Sequence, residues 1–309
     1  MNIWVAVTDS DWFKFLRTRR PEEVNFWQPG GGRRIRKLEP GNLFLFKLHS
    51  PHNAIAGGGF FVRSTSLPVR LAWEAFGERN GVGSLAEFRA RIKKYRRAAT
   101  PASAEIGCNV LAYPFFFDED DWIPQPQSWS PNIVTAKTYS ATEGDGIELY
   151  RQIAARLQAD DLLPVGWPVH DESTVDRWGE AFLTRARLGQ GAFRVLVTDA
   201  YTRRCAITGE RTLPTLEAAH IKPYAEQGPH RVSNGLLLRS DWHRLFDDGY
   251  VTLTEDYRIE VSDRIREEYH NGQEYYDHHG APLTRLPEPV WQRPDSEFIR
   301  WHNEQIFLG

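Results

Sequence analysis

Cysteine is nearly missing from this chain of 309 residues: there are two, Cys108 and Cys205. Two thiols cannot build a disulfide framework or a four-cysteine zinc site, so a reduced, cytoplasmic setting without structural zinc is expected. Positive charge is not in excess either. Lys and Arg number 38 against 41 Asp and Glu, and the net charge of −3 gives no overall attraction to a polyanion. No apolar run approaches the roughly 18 residues of a membrane helix. The start, "MNIWVAVTDSDWF", has no basic stretch ahead of an apolar one, so neither an anchor nor a secretory signal is expected. Internal repeats and low-complexity tracts are missing too. What remains, 41% hydrophobic and 26% charged, is the composition of a folded soluble chain with room for two ordinary cores.

Against that background one segment carries chemistry: "TLEAAHIKPYAEQGPHRVSNGLLLRSDWHRLFDDGY". "TLEAAHI" alternates as a strand, with Leu216, Ala218 and His220 on one face. "NGLLLR" reads as a returning strand begun by Asn234 and Gly235, and "SDWHRLFDDG" as a helix with Ser240 as its N-cap and Gly249 at its end. Metal-assisted hydrolysis takes a base for water, a cation for the charge that gathers in the transition state, and a means of aiming both. A neutral imidazole at His220 can accept a proton near pH 7 and return it. The Asn234 amide can hydrogen-bond loop backbone and so orient that ring. His243 and Asp247, four apart on the helix, project from one face and can share a divalent ion. Plainer readings exist: ten histidines make chance spacings common, and Asp247 beside Asp248 also fits an ordinary helix end.

From about Leu188 to Ser262, "GQGAFRVLVTDAYTRRCAITGERTLPTLEAAHI" with "NGLLLRSDWHRLFDDG" resembles the HNH, or ββα-metal, endonuclease family, the "CAITG" turn included. The resemblance implies His220 as general base, Asn234 and His243 completing the catalytic set, and His243 and Asp247 holding one divalent ion: Mg2+ or Mn2+, with Co2+ and Ni2+ as further options. The chain departs from the family at Ala219, where many members place a metal-binding Asp. Glu217, two residues earlier, is a substitute ligand or simply a solvent-facing strand residue.

The first half reads as a separate β-rich domain. "NIWVAVT", "NLFLFKLH", "AIAGGGFFVRS" and "NVLAYPFFF" are strand-like, and "SLAEFRARIKKYRR" is a helix with a Ser84 to Glu87 capping box and a buried stripe of Leu85, Phe88, Ile92 and Tyr95. Strands with a few covering helices suggest a small, partly closed barrel, and an α+β chain as a whole. After the proline-rich "WIPQPQSWSPNI", residues 140–187 read as a helical linker through "GDGIELYRQIAARLQ" and "TVDRWGEAFLTRARL". Residues 188–309 add a hairpin, "YVTLTEDYRIEVS", and a closing helix, "SEFIRWHNEQIF". Most aromatics are core material. Trp12, after "TDSD", and Trp27, between Asn25 and Gln28, stand in loop-like contexts where an indole can stack on an extruded base and amides can bond its edge. Basic clusters holding Arg33, Arg34, Arg36, Lys93 and Lys94 are suited to a DNA backbone, and equally to a solvated face. His49 and His52 flank Pro51 in a turn; His270, His278 and His279 read as polar loop residues.

Residues 1–139 resemble the PUA superfamily, most closely its EVE branch, related to YTH and SRA-type readers. "WVAVTDSDW" and "VNFWQPGGGRRIRKLEPGNLFLFKLHSPHNAIAGGGFF" carry the likeness. Together the two resemblances imply a modification-dependent restriction endonuclease that flips 5-methylcytosine or 5-hydroxymethylcytosine out of double-stranded DNA. With one cutting site per chain, cleaving both strands implies a homodimer. Two other readings stand beside it: an HNH nuclease selecting RNA or unmodified DNA structure, and a non-catalytic reader with a degenerate HNH fold, for which Ala219 is the motive.

Overall fold

The computed structural model describes residues 1–31, 35–96, 105–160, 164, 179, 181–184, 186 and 188–309. The chain forms two compact units, Met1–Ala192 and Phe193–Gly309. Among the described residues no helix is long and apolar enough to cross a membrane.

The first unit is built on one mixed sheet. Its strands are β1 (Asn2–Thr8), β2 (Glu23–Gln28), β3 (Leu43–Leu48), β4 (Ala54–Leu67), β5 (Ile106–Phe116), β6 (Ile123–Pro124) and β7 (Ala136–Ser140). They lie in the order β2-β5-β4-β3-β1-β7, with β6 beside β4. Only β1 and β3 run parallel, Ile3 facing Leu43. The end strands β2 and β7 are not neighbours, so the expected partly closed barrel is an open mixed sheet among the described residues. The glycine run in β4 has a steric cause. A Cβ on Gly57 would sit 2.3 Å from the Phe115 carbonyl oxygen, and one on Gly58 would sit 2.6 Å from that of Phe44.

Helix α1 (Ser10–Arg19) follows β1 directly, capped by Asp9, whose side chain accepts from the Trp12 backbone N–H. Trp12 is therefore a helix residue, where a strand-end loop was expected. Helix α2 (Val69–Phe76) comes next, then α3 (Leu85–Tyr95), which starts where the capping box predicts, Ser84 Oγ accepting from the Glu87 N–H. Its stripe is narrower than expected: Phe88 and Ile92 are buried, but Tyr95 is 46% exposed. Helix α4 (Asp145–Ala159) buries Leu149, Ile153 and Leu157. The second expected linker helix, 174–188, falls mostly outside the described residues.

The second unit contains most of α5 (Gln190–Ala200), the hairpin of β8 (Leu216–His220) and β9 (Gly235–Arg239), and α6 (Ser240–Asp247). Then come the hairpin of β10 (Val251–Leu253) and β11 (Ile259–Val261), two short helices α7 (Arg264–Tyr269) and α8 (Gln273–Tyr276), and the closing helix α9 (Ser296–Gln305). Tyr201, Leu237, Trp242, Phe246 and Ile299 fill the core. Ser240 is not the cap of α6. Arg239 occupies that place in an extended conformation, without a side-chain cap, and grips Asp241 with two 2.7 Å hydrogen bonds. Gly249 ends the segment at φ +79, where any Cβ would fall 2.2 Å from the Ile306 carbonyl oxygen.

His302 of α9 is 2% exposed, stacked on Phe246 with ring centres 3.9 Å apart, and its Nε2–H donates to the Phe246 carbonyl. Burial pushes its pKa from 6.5 down to about 4. The unfolded chain therefore binds a proton between those values that the folded one refuses, so stability is full above about pH 6.5 and falls toward pH 4. Chemical denaturation from pH 8 to 4 is expected to lose on the order of 3 kcal/mol through this group. His302→Leu, less stable at neutral pH, should flatten that decline.

Candidate functional site

The β8–β9 hairpin places Ala219 opposite Leu236 and His220 opposite Gly235. Gly235 is the partner that permits this approach, since a Cβ there would meet Val197 at 2.5 Å and the Phe193 ring at 3.0 Å. The same Phe193 lies flat against His220, ring centres 3.9 Å apart and 11° from parallel. At the ring edge, His220 Nε2 and His230 Nδ1 share a hydrogen bond of 2.8 Å. The His230 ring in turn stacks on Tyr224 at 4.4 Å. Burial first, then the neighbouring His230 and His243, push the His220 pKa from 6.5 to about 4. An imidazole held neutral through the physiological range is ready to take a proton.

Asn234 is fully buried in the turn before β9. Its Oδ1 accepts from the Lys222 N–H at 2.8 Å, and its Nδ2 donates to the carbonyls of Lys222 and Pro229 at 2.9 and 3.0 Å. It thus ties together both ends of the loop that leads from His220 to His230. On α6, His243 and Asp247 come together as the i, i+4 spacing predicts, Nε2 to Oδ2 3.2 Å. The opposite ring nitrogen of His243 donates to Glu217 Oε2 at 2.6 Å. Ala219 is fully buried in the hydrophobic core, on the face of β8 that it shares with Glu217. His230 was missed by sequence reasoning. The available signal was a histidine four residues before Asn234, just beyond the loop that an asparagine was expected to clamp.

In the first unit a cavity of about 1480 Å³ is lined by Trp4, Trp12, Phe26, Trp27 and Tyr95, with Gln28 on its wall. Trp12 is 4% exposed and meets Phe26 and Phe46 edge-on at 5.3 and 5.2 Å, so it forms wall rather than a free loop aromatic. Trp27 stands in β2, not in a loop. Its Nε1–H donates to the Asn80 carbonyl at 2.9 Å and its ring packs edge-on against Phe88 at 5.4 Å. Asn25 is not on the cavity wall: it is fully buried, and its Nδ2 donates to Asn80 Oδ1 and to Cys108 Sγ. Among the polar lining residues, Asp9 and Arg91 were not anticipated. Asp9 accepts from the Tyr95 hydroxyl at 2.7 Å and lies 3.5 Å from Arg91. Burial works to raise the Asp9 carboxyl, but the Tyr95 hydroxyl, the Trp12 N–H and the Arg91 guanidinium together hold it below the usual carboxylate range. Arg36 and Lys37 also line the cavity. Lys93 and Lys94 are exposed in the last turn of α3. Arg33 and Arg34 lie outside the described residues.

Residues 205–254 match the family model described as HNH endonuclease. The second unit carries an HNH endonuclease domain. No curated protein matches the chain. Among solved structures, the ASCH protein from Zymomonas mobilis is 12% identical, with a TM-score of 0.32, over 49% of this chain and 93% of its own. A modification-dependent TagI restriction endonuclease is 15% identical, with a TM-score of 0.29, over 92% of this chain and 75% of its own. Overlaps this loose do not define the fold of either unit.

HNH endonucleases generally employ a divalent metal, and the donors on α6 fit part of a shell. Two atoms bound at right angles to one ion, each about 2.1 Å from it, stand about 3 Å apart. The 3.2 Å between His243 Nε2 and Asp247 Oδ2 meets that requirement. Among the described residues no group of three or more His, Cys, Asp or Glu side chains is arranged to hold an ion. Two protein ligands with water and phosphate oxygens completing the shell is a common arrangement for Mg2+. Glu217 bonds the ring nitrogen on the far side of His243, which suits it to orient the ring. Glu217→Ala is expected to weaken Mn2+ binding about 10- to 100-fold in calorimetry. Glu217→Gln, able to accept the same hydrogen bond, should lose clearly less; equal losses would mark Glu217 as a direct ligand.

Proposed function

We propose that this protein is a modification-dependent DNA endonuclease. The first unit receives an extruded modified cytosine, 5-methyl or 5-hydroxymethyl, and the HNH domain hydrolyses a nearby phosphodiester with one divalent ion. The observation that carries this reading is an aromatic cavity of about 1480 Å³ in the same chain as the His220, Asn234 and His243 site. Trp27 supplies a stacking face fixed by its bond to Asn80. Asp9, held ionised, is an acceptor for an exocyclic amine, the pairing that carboxylates make with the N4 amino group of cytosine. In the HNH domain His220 takes the proton of the attacking water, while His243 and Asp247 hold the cation, which supplies charge stabilisation at the phosphate. One such site per chain favours a homodimer for cutting both strands.

The test is cleavage of three otherwise identical duplexes, plain, 5-methylcytosine and 5-hydroxymethylcytosine, with Mg2+, Mn2+, Co2+ and Ni2+ each supplied. Cutting confined to modified duplexes is expected. Equal cutting of all three would remove the reader and leave the nuclease; selective binding without cutting under any ion would leave a reader with an inactive HNH fold. Trp27→Ala should weaken binding to modified duplex about tenfold or more, the worth of one base stacked on an aromatic ring, and leave plain duplex unaffected.

A further inference from the structure

Lys47 is out of place by ordinary rules. It lies on β3, where every residue is buried, and is itself 4% exposed. Buried ammonium groups normally have a carboxylate beside them. Among the described residues none pairs with Lys47; its Nζ donates to the Leu48 carbonyl and to Asn53 Oδ1, both at 3.2 Å. The ring centre of Trp129 lies 5.1 Å away. An ammonium has three donors, so one N–H is left over. The β3–β4 register shifts between Phe46 and Lys47, an irregularity of the kind that re-aims a side chain.

Lys47 lines a second cavity of about 390 Å³, together with His49, Asn53, Gln125 and Trp129. No Asp or Glu is among its lining residues, so its one formal charge is positive and its neighbours offer further donors. Val7, His49 and Val134 line both this cavity and the larger aromatic one, so the two adjoin.

We infer that the smaller cavity is an anion site that takes a phosphate of the nucleotide whose base enters the larger cavity. The inference rests on the base-reading role proposed above and adds what that role leaves out. A cytosine ring brings no negative charge to Lys47; the phosphate attached to its sugar does, and a charge-assisted hydrogen bond to a buried ammonium is among the stronger single contacts available. His49, the turn histidine that the sequence singled out, then stands at the join between base and phosphate.

The full chain is titrated, with NMR detection, with 5-methyldeoxycytidine 5′-monophosphate, with the corresponding nucleoside and with inorganic phosphate. The nucleotide is expected to bind about tenfold tighter than the nucleoside, the worth of one hydrogen bond to a charged group. Inorganic phosphate should perturb Lys47 and Trp129. Lys47→Met should lower the nucleotide to the nucleoside's affinity, abolish the response to phosphate and leave nucleoside binding unchanged. Should that variant fail to fold, Gln125→Ala on the partly exposed wall reports the same loss in smaller measure. Equal affinities of nucleotide and nucleoside for the natural protein, or no response of Lys47 and Trp129 to phosphate, overturns the inference. Phosphate bound at Lys47 with no nucleoside binding upholds the anion site and removes the base reader instead.

Discussion

His220→Ala is expected to slow strand cleavage about a thousandfold, the middle of the range for losing a general base. Binding to the modified duplex should be unchanged, because the substitution lies in the HNH domain and the proposed base cavity in the first unit. The structural reason for so large an effect is the preparation of the ring. Phe193 covers one face, His230 engages Nε2, and burial with two neighbouring imidazoles keeps the group unprotonated down to about pH 4. The sign of the pH dependence follows. A base works only while neutral, so with the divalent ion kept saturating at each pH, cleavage should persist as pH falls through 6.5 and fail only near pH 4. Single-turnover rates from pH 8 to 4 measure this directly. An acid limb centred at 6.5, or near-normal cutting by the alanine variant, would remove His220 from the role.

His243→Ala is expected to take away divalent-ion binding and with it cleavage, to below about one part in a thousand of the natural rate, since charge stabilisation at the phosphate disappears. Removing this ring leaves the Asp247 carboxylate as the one remaining protein donor of the pair on α6, and leaves Glu217 without its partner. Burial raises the Asp247 carboxyl, with His243 opposing and Asp248 and Glu217 adding to the rise. Ion uptake should therefore weaken as acid is added, beginning above the usual carboxylate range. Calorimetric titration of Mn2+ at pH 7.5 and 5.5 separates the two effects. An alanine variant that still binds one ion per chain with natural affinity would place the metal elsewhere.

The hairpin and helix of the HNH domain were legible because their signals are local: alternation over "TLEAAHI", a returning "NGLLLR", and an i, i+4 pair on α6. The contact between His220 and His230 was not, because it depends on how a ten-residue excursion closes rather than on any period in the sequence. The same holds for Ala219. Alternation put it on the opposite face of the strand from His220, and only its full burial shows that this face is packed at that point. In the first unit the strands were readable from their apolar runs, while Trp12 and Trp27 were misplaced. "TDSDW" looks like a polar break, yet Asp9 is a helix cap, and the polar neighbours of Trp27 belong to a strand whose Asn25 is spent on Asn80 and Cys108. Tyr95 was misplaced for the reverse reason: helical period put it inward, but it is exposed, and its hydroxyl donates to Asp9, which lines the same cavity.

Asn234 has a consequence for how this site can change over generations. One amide ties Lys222 to Pro229, so the residues between them form a closed excursion whose length need not move His220 as long as Tyr224 keeps its stack on His230. Gly228 shows how tight the closure is, a Cβ there falling 1.8 Å from the Lys222 carbonyl oxygen. Residues inserted at the exposed tip near Glu226 would add only the slow, logarithmic entropy of a longer loop. On the proposed function, the stretch is thus a place where nucleic-acid contacts can be acquired or discarded while His220 and Asn234 stay in register.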